Sequence, residues 1–243
     1  MERIRFRDAS GQVRIGSHDN GTVLSGKRKY AFSDIDVLPP TNPEKVIVLD
    51  RNQERILPMH GFEKPTKPRF YTKTPNTVVG HGDTVEIPDA DNPVVCEGEL
   101  AAIVGQQCRN FSGENPEDVL LGYTCTNDLL VQGGFIDDPA EVKGNNFDTS
   151  NPVGPVVVPT NRITPTSQLT LRINGETVSE TDFSTQIFSL SRILSDITQF
   201  VTLERGDVII FGAPTDQFVI TEGDTLEVHI EGIGTLENDV IRR

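Results

Sequence analysis

The sequence predicts a β-rich α+β fold, and three observations carry that prediction. Short Val-, Ile- and Thr-rich runs recur with Gly and Pro between them, which is the pattern of strands punctuated by turns. Two Asn-Gly pairs, Asn20-Gly21 and Asn174-Gly175, separate such runs, and this dipeptide supplies the positive φ angles that a two-residue hairpin needs. Helical periodicity is sustained in one stretch only, around residues 187–201.

Taken in order, Arg3 to Arg7 and Gln12 to Ile15 alternate in polarity, and with the turn at Asn20-Gly21 they predict a small sheet over residues 2–24. Leu38-Pro-Pro-Thr-Asn-Pro43 then stiffens the chain into an extended connector. This divides the chain into a small N-terminal β domain, 1–43, and a larger domain, 44–243. Lys45 to Leu49 reads as a buried strand and Val94 to Cys108 as a long one. Gln168 to Ile173 pairs with the run from Thr177 across Asn174-Gly175, and strands Asp207 to Phe211 and Thr225 to Ile230 each begin at a Gly-Asp pair. Ile187, Leu190, Leu194, Ile197 and Val201 predict a helix that starts just after Ser184 and Thr185. A shorter helix is expected at Asn115-Pro116-Glu117, with Asn as cap and Pro in the first turn.

Composition narrows the function classes. With 36 acidic against 22 basic residues, only seven of them Lys, the net charge of −14 disfavours nucleic-acid phosphates as a partner. No apolar run approaches the roughly 20 residues of a membrane span, and the charged start MERIRFRDAS is not that of a leader peptide. A cytoplasmic protein is expected. Cys96, Cys108 and Cys125 are odd in number and have no CxxC spacing, so they read as small hydrophobes and not as a disulfide or zinc set.

Chemistry concentrates in Val94-Val-Cys-Glu-Gly-Glu-Leu-Ala-Ala-Ile-Val104. The strand period of two puts Glu97, Glu99, Ala101 and Ile103 on one face, with the two carboxylates about 7 Å apart along the strand. Two like charges on an apolar strand are costly to bury unless a cation neutralises them, although a wet strand face is the plainer explanation. Asp128, after Gly122-Tyr-Thr-Cys-Thr-Asn127, falls where the chain is expected to turn, so an Asx turn is its plain reading. Three carboxylates together would favour a hard cation, Mg²⁺, Mn²⁺ or Ca²⁺, over zinc.

The order of short motifs along the chain resembles the fumarylacetoacetate hydrolase family. It runs Leu38-Pro-Pro…Pro43-x-Lys45, Phe70-x-x-Lys73-x-Pro75, Glu97-x-Glu99-Leu100 with Ile103-Val-Gly105, and Gly122-Tyr-Thr-x-x-Asn127-Asp128. It continues through Phe147-Asp-Thr…Pro152-Val-Gly-Pro155, Asn174-Gly-Glu176, Leu203-x-x-Gly206-Asp207, Gly212-x-Pro214, Gly223-Asp224 and Glu231-Gly-x-Gly234. The resemblance implies a mixed β-roll domain behind a small N-terminal sheet, commonly as a homodimer. It implies Mg²⁺ or Mn²⁺ on Glu97, Glu99 and Asp128, and substrate-binding positions at Lys73, Gln132, Asn145 and Ala213. The expected substrate is a small 2-oxo or 1,3-dicarbonyl acid, whose enolate the metal stabilises as a Lewis acid.

The chain also departs from the family pattern. Hydrolytic members carry NYxxHxxE, and the matching Asn52-Gln-Glu-Arg-Ile-Leu-Pro-Met59 has Gln53 for Tyr, Ile56 for His and Met59 for Glu. Gln132 stands where an Arg is common, and Asn145 where a Lys is common. Loss of a general base costs roughly two to four orders of magnitude in rate, so the usual hydrolytic route is impaired. A slipped loop would offer Glu54 or His60 as substitute base, and Lys143 could cover for the missing Lys, although a solvated loop residue is the plainer reading of each. His18, His81 and His229 have no partner pattern and read as surface residues.

Three functions fit: a metal-dependent tautomerase, decarboxylase or C–C hydrolase of an oxo acid, a sugar-acid dehydratase, or a silent binder of metal and oxo acid. The dispersed acidic excess further fits a salt-adapted cytoplasm, in which salt screens self-repulsion. The thermal midpoint is therefore expected to rise from dilute buffer to molar KCl, and a midpoint indifferent to salt overturns that reading.

Overall fold

A computed structural model describes residues 1–113, 115–133 and 142–243. Its strands are β1 Glu2–Arg7, β2 Val13–Asp19, β3 Thr22–Ser25, β4 Arg28–Ala31, β5 Asp36–Val37, β6 Val46–Asp50, β7 Arg69–Lys73, β8 Val78–Val79 and β9 Val85–Ile87. They continue with β10 Val94–Val104, β11 Leu120–Val131, β12 Asn151–Val158, β13 Gln168–Ile173, β14 Glu176–Asp182, β15 Val208–Ile210, β16 Phe218–Ile220, β17 Thr225–Ile230 and β18 Gly234–Arg242. Two α-helices are described, α1 Val142–Asn145 and α2 Leu190–Phe200. Among the described residues no helix is long and apolar enough to cross a membrane.

The strands form two mixed sheets. The larger runs β4-β3-β2-β1-β12-β11-β10-β15-β6-β7, and the smaller runs β14-β13-β17-β18-β9. β1 meets β12 at Arg3↔Val157, so the N-terminal strands continue the larger sheet. At the Asn20-Gly21 hairpin both residues have positive φ, 45° and 77°, as a primed turn requires.

The core lies where the sheets face each other. Cys96, Leu100, Ala102 and Val104 of β10 join Leu169 and Leu171 of β13, Val228 of β17 and the buried side of α2 in one apolar cluster. Gly98 keeps the sheets close, since a Cβ there would lie 3.3 Å from the Leu169 side chain. The opposite face of β10 behaves differently. Ala101 and Ile103 pack with Val46, Val48, Val208 and Ile210 in a second, smaller cluster, and the predicted companions Glu97 and Glu99 lie further along that same face.

Three local expectations are corrected. α2 begins at Leu190, not after Thr185, because residues 185–188 are drawn into backbone pairing with the segment at Asn52: Glu54 N–H donates to Thr185 O at 2.8 Å and Ile187 N–H to Asn52 O at 2.8 Å. The helix is capped instead by Ser189, whose hydroxyl accepts the Arg192 N–H at 3.4 Å. The helix at Asn115 is a single 3-10 turn, Pro116–Val119, and Asn115 offers its backbone carbonyl, not its side chain, to Asp118 N–H at 3.2 Å. The strand from Val94 ends at Val104, and Cys108 is left in an isolated bridge to Leu203.

The histidines read as unpartnered surface groups are partly buried and paired. His18 Nδ1 is 2.7 Å from Glu2, His81 Nδ1 accepts the Glu237 N–H at 3.1 Å, and His229 meets the Thr235 hydroxyl at 3.0 Å.

Gly122, the third residue of β11, stands opposite Ile103 at the register shift between Ile103 and Val104. Its φ is +153°, and a Cβ there would lie 2.0 Å from Val158 O. Gly122→Ala is expected to cost on the order of 3 kcal/mol, seen as a lower denaturant midpoint. A variant as stable as wild type would refute this packing.

Candidate metal centre

Register builds the site. In the β10/β11 pair Glu97 stands directly opposite Asp128 and Glu99 opposite Thr126, so three carboxylates share one face of two neighbouring strands. Each offers one oxygen, and these oxygens all lie within 4.8 Å of one another. Glu99 and Asp128 are each 1 % exposed, while Glu97 is partly open. Asp128 is not at a turn, as its Asn-Asp context suggested, but inside a twelve-residue strand. The buried pairing along the whole of β10 outweighs the local turn preference of that dipeptide.

Donors converge on these oxygens from three directions. From β7, Tyr71 and Lys73 lie opposite Val48 and Val46 and so point to the triad face. The Tyr71 hydroxyl donates to Asp128 Oδ2 at 3.0 Å, and the buried Lys73 ammonium pairs with Asp128 Oδ1. Lys73 Nζ also donates to the carbonyls of Leu129 at 2.9 Å and Ser150 at 3.3 Å. Backbone Gly212 lies against Glu99 and the Gln217 side chain against Glu97, and each offsets part of the upward push on its carboxyl.

One ammonium cannot balance three carboxylates. Burial, with the Asp128 charge adding to it, pushes Glu97 up to about 8. Burial followed by the charges of Asp128 and Glu97 holds Glu99 well above the carboxylate range. Tyr71 is likewise raised, first by burial and then by Asp128. Glu99 Oε2 is buried with no hydrogen-bond partner, an arrangement that costs free energy unless something else binds it. An all-oxygen set of acids with one orphaned oxygen fits a divalent cation of the hard class.

The triad opens into a cleft of about 1170 Å³. Arg51, His60, Phe62, Arg69 and Tyr71 line it with the carboxylates. His60 Nε2 lies 3.6 Å from Asp216, and its ring stacks on Phe62 at 5.7 Å. The Arg51 guanidinium covers the Phe62 ring at 3.6 Å, and Asp50 pairs with Arg69 at 2.9 Å and with Arg51 at 3.5 Å.

The remaining sequence candidates are scattered. Asn145 and Ala213 line the cleft, as does Ile56. Lys73 lies beneath the triad, 1 % exposed, with its ammonium spent on three acceptors. Gln132 is exposed and donates to Gln217 Oε1 at 3.2 Å. Glu54 points outward to Lys64 at 2.8 Å, and Lys143 is exposed on α1. Tyr71, Gln217 and the Gly212 amide were not found from sequence. For Tyr71 a signal existed, since Tyr71-x-Lys73 shares a strand face; for the other two there was none.

A family model described as fumarylacetoacetate (FAA) hydrolase C-terminal matches residues 46–241. The chain belongs to the fumarylacetoacetate hydrolase family. It is 31 % identical over 229 residues to the oxaloacetate tautomerase YisK of Bacillus subtilis, covering 88 % of this chain and 76 % of that protein. The 5-carboxymethyl-2-hydroxymuconate delta-isomerase of Mycobacterium smegmatis shares its fold at TM-score 0.90 and 27 % identity, over 100 % and 99 % of the two chains. A maleylpyruvate hydrolase of Sphingobium sp. SYK-6, solved with manganese(II) and pyruvate, matches at TM-score 0.84 and 22 % identity, over 100 % and 99 %. These fumarylacetoacetate hydrolase relatives are enzymes, and this chain is an enzyme of the family.

The site ties stability to pH. A Glu97 raised from its ordinary 4.5 to about 8 holds a proton that the unfolded chain has lost. Its contribution is therefore full below about pH 4.5 and lost as pH rises through about 8. In chelator the thermal midpoint is expected to fall across that window, and Mn²⁺ to restore it at the upper end. Glu99→Gln removes a buried acid that the fold must hold protonated well above its ordinary range, so its metal-free form is expected to be more stable than wild type at neutral pH. Its Mn²⁺ affinity is expected to fall by more than the roughly 10- to 100-fold typical of losing an outer hydrogen-bond partner. A Glu99→Gln protein that binds Mn²⁺ like wild type would refute the centre.

Proposed function

We propose that the protein is a divalent-metal-dependent tautomerase of a small 2-oxo acid. The carrying observation is a complete carboxylate platform in a cleft where Ile56 occupies the position expected to hold a water-activating His. Hydrolysis needs an oriented, deprotonated water; tautomerisation needs only a proton carried from carbon to oxygen. Mg²⁺ or Mn²⁺ on Glu97, Glu99 and Asp128, with Ca²⁺ a third candidate, would supply Lewis acidity to a chelating oxo acid.

This chain's own groups do the rest. His60 is the imidazole that lines the cleft among the described residues. It takes the proton from the carbon next to the oxo group and returns it to the enolate oxygen, with Asp216 steadying the imidazolium. Arg51 and Arg69 present positive charge to the substrate carboxylate. Similarity to the Bacillus oxaloacetate tautomerase supports this reading.

The test is the keto–enol conversion of oxaloacetate, followed by enol absorbance in high salt with added Mg²⁺ or Mn²⁺. Metal-dependent acceleration is expected, abolished in Glu99→Gln and slowed roughly 100- to 10,000-fold in His60→Asn. Release of CO₂ would assign a decarboxylase instead. Thermal stabilisation by oxaloacetate, acylpyruvates and deoxy-oxo-sugar acids without turnover would assign a binding protein.

A further inference from the structure

We infer that Gln217, held by Gln132, is a positioning residue for the metal platform, fixing Glu97 in its ligand orientation; the inference rests on the metal reading above. Asp128 is fixed by Lys73 and Tyr71 from a strand, and Glu99 is held by its burial, 1 % exposed. Glu97 is the partly open member of the triad, and on its β16 side the strand register sets Gln217, which lines the same cleft.

Geometry places that amide. β16 pairs with β10 at Cys96↔Phe218, so the antiparallel register brings Gln217, one residue before Phe218, alongside Glu97, one residue after Cys96. A Glu97 ionised by metal binding would only accept hydrogen bonds, so a Gln217 that serves it turns its nitrogen to Glu97 and its oxygen away. That oxygen accepts the Gln132 Nε2–H at 3.2 Å. Gln132 is itself tied to the start of β10, its N–H donating to Pro93 O at 2.9 Å. The relay Gln132–Gln217–Glu97 therefore has one polarity and is anchored at both ends.

Its connection to the rest of the cleft is direct. The Gln217 N–H donates to Asp216 Oδ1 at 2.9 Å, and Asp216 faces His60. Neighbouring residues thus set a metal ligand and the proposed proton carrier.

The experiment is Mn²⁺ titration by calorimetry on wild type, Gln217→Leu, Gln132→Leu and the double variant, with metal-free thermal midpoints in chelator. Gln217→Leu is expected to weaken Mn²⁺ binding roughly 10- to 100-fold, Gln132→Leu to weaken it less, and the double variant to match Gln217→Leu. The metal-free midpoints are expected to stay at the wild-type value, which a merely structural glutamine would not allow. Wild-type affinity in Gln217→Leu, or additive losses in the double variant, overturns the inference and leaves the metal reading standing. If Gln217→Leu does not fold, wild-type affinity in Gln132→Leu overturns it in the same way. A wild type that binds no Mn²⁺ overturns both.

Discussion

Three carboxylates on adjacent buried strands repel one another, and much of the surrounding structure acts to hold them together. Antiparallel register sets Glu97 opposite Asp128; strand period sets Glu99 beside Glu97. A second apolar cluster lies along the same face, which keeps water from screening the charges. Lys73 is the structural answer. A fully buried lysine costs several kcal/mol, roughly, unless it is paired and hydrogen-bonded, and here it has an acidic partner and two carbonyls. That leaves two carboxyls without a cation, and both hold their protons more tightly for it.

The loop from Gly212 to Gln217 does more for the site than its length suggests. Gly212 has φ +86°, and a Cβ there would lie 2.9 Å from Leu49 O, so only glycine lets its N–H approach Glu99 there. The far end carries Asp216 and Gln217, which face His60 and Glu97. Beneath the loop, Asn52 Nδ2 donates to Phe211 O at 2.8 Å and Gln53 Nε2 to Gly212 O at 3.3 Å. The segment that has lost the family's proton-handling residues therefore still works, as a clamp on the loop beside the carboxylates.

What the sequence revealed follows from which interactions are local. The alternation through β10 is local, so the facing of Glu97 and Glu99 was legible, as were both Asn-Gly hairpins. Asp128 was misplaced because Asn-Asp favours turns, while its strand state comes from pairing with residues about thirty positions away. The start of α2 was missed for a similar reason: the competing partner of Ile187 is Asn52, across the molecule. Gln217 was invisible, since a glutamine in a loop carries no period and its meaning lies in a register set by β16. Motif order identified the family because it sums many weak local signals that no single position supplies.

The departures at Ile56 and Met59 bear on reaction type more than on activity as such. Enolisation and hydrolysis share their first requirement, positive charge where the oxo acid's oxygens gather, and the triad keeps the three carboxylates that would hold a cation there. They diverge afterwards, because hydrolysis needs a second molecule, water, oriented and deprotonated within the same cleft. Ile56 now lines that cleft, and a hydrocarbon there neither orients nor deprotonates water. Met59 is 59 % exposed and outside the lining, so position 59 supplies no partner acid to the cleft. Proton transfer within one substrate needs a single carrier, which His60 can be. On the proposed reading, losing two polar side chains weakens one branch of the chemistry while leaving the other the carboxylate triad, the arginines and the imidazole of the cleft.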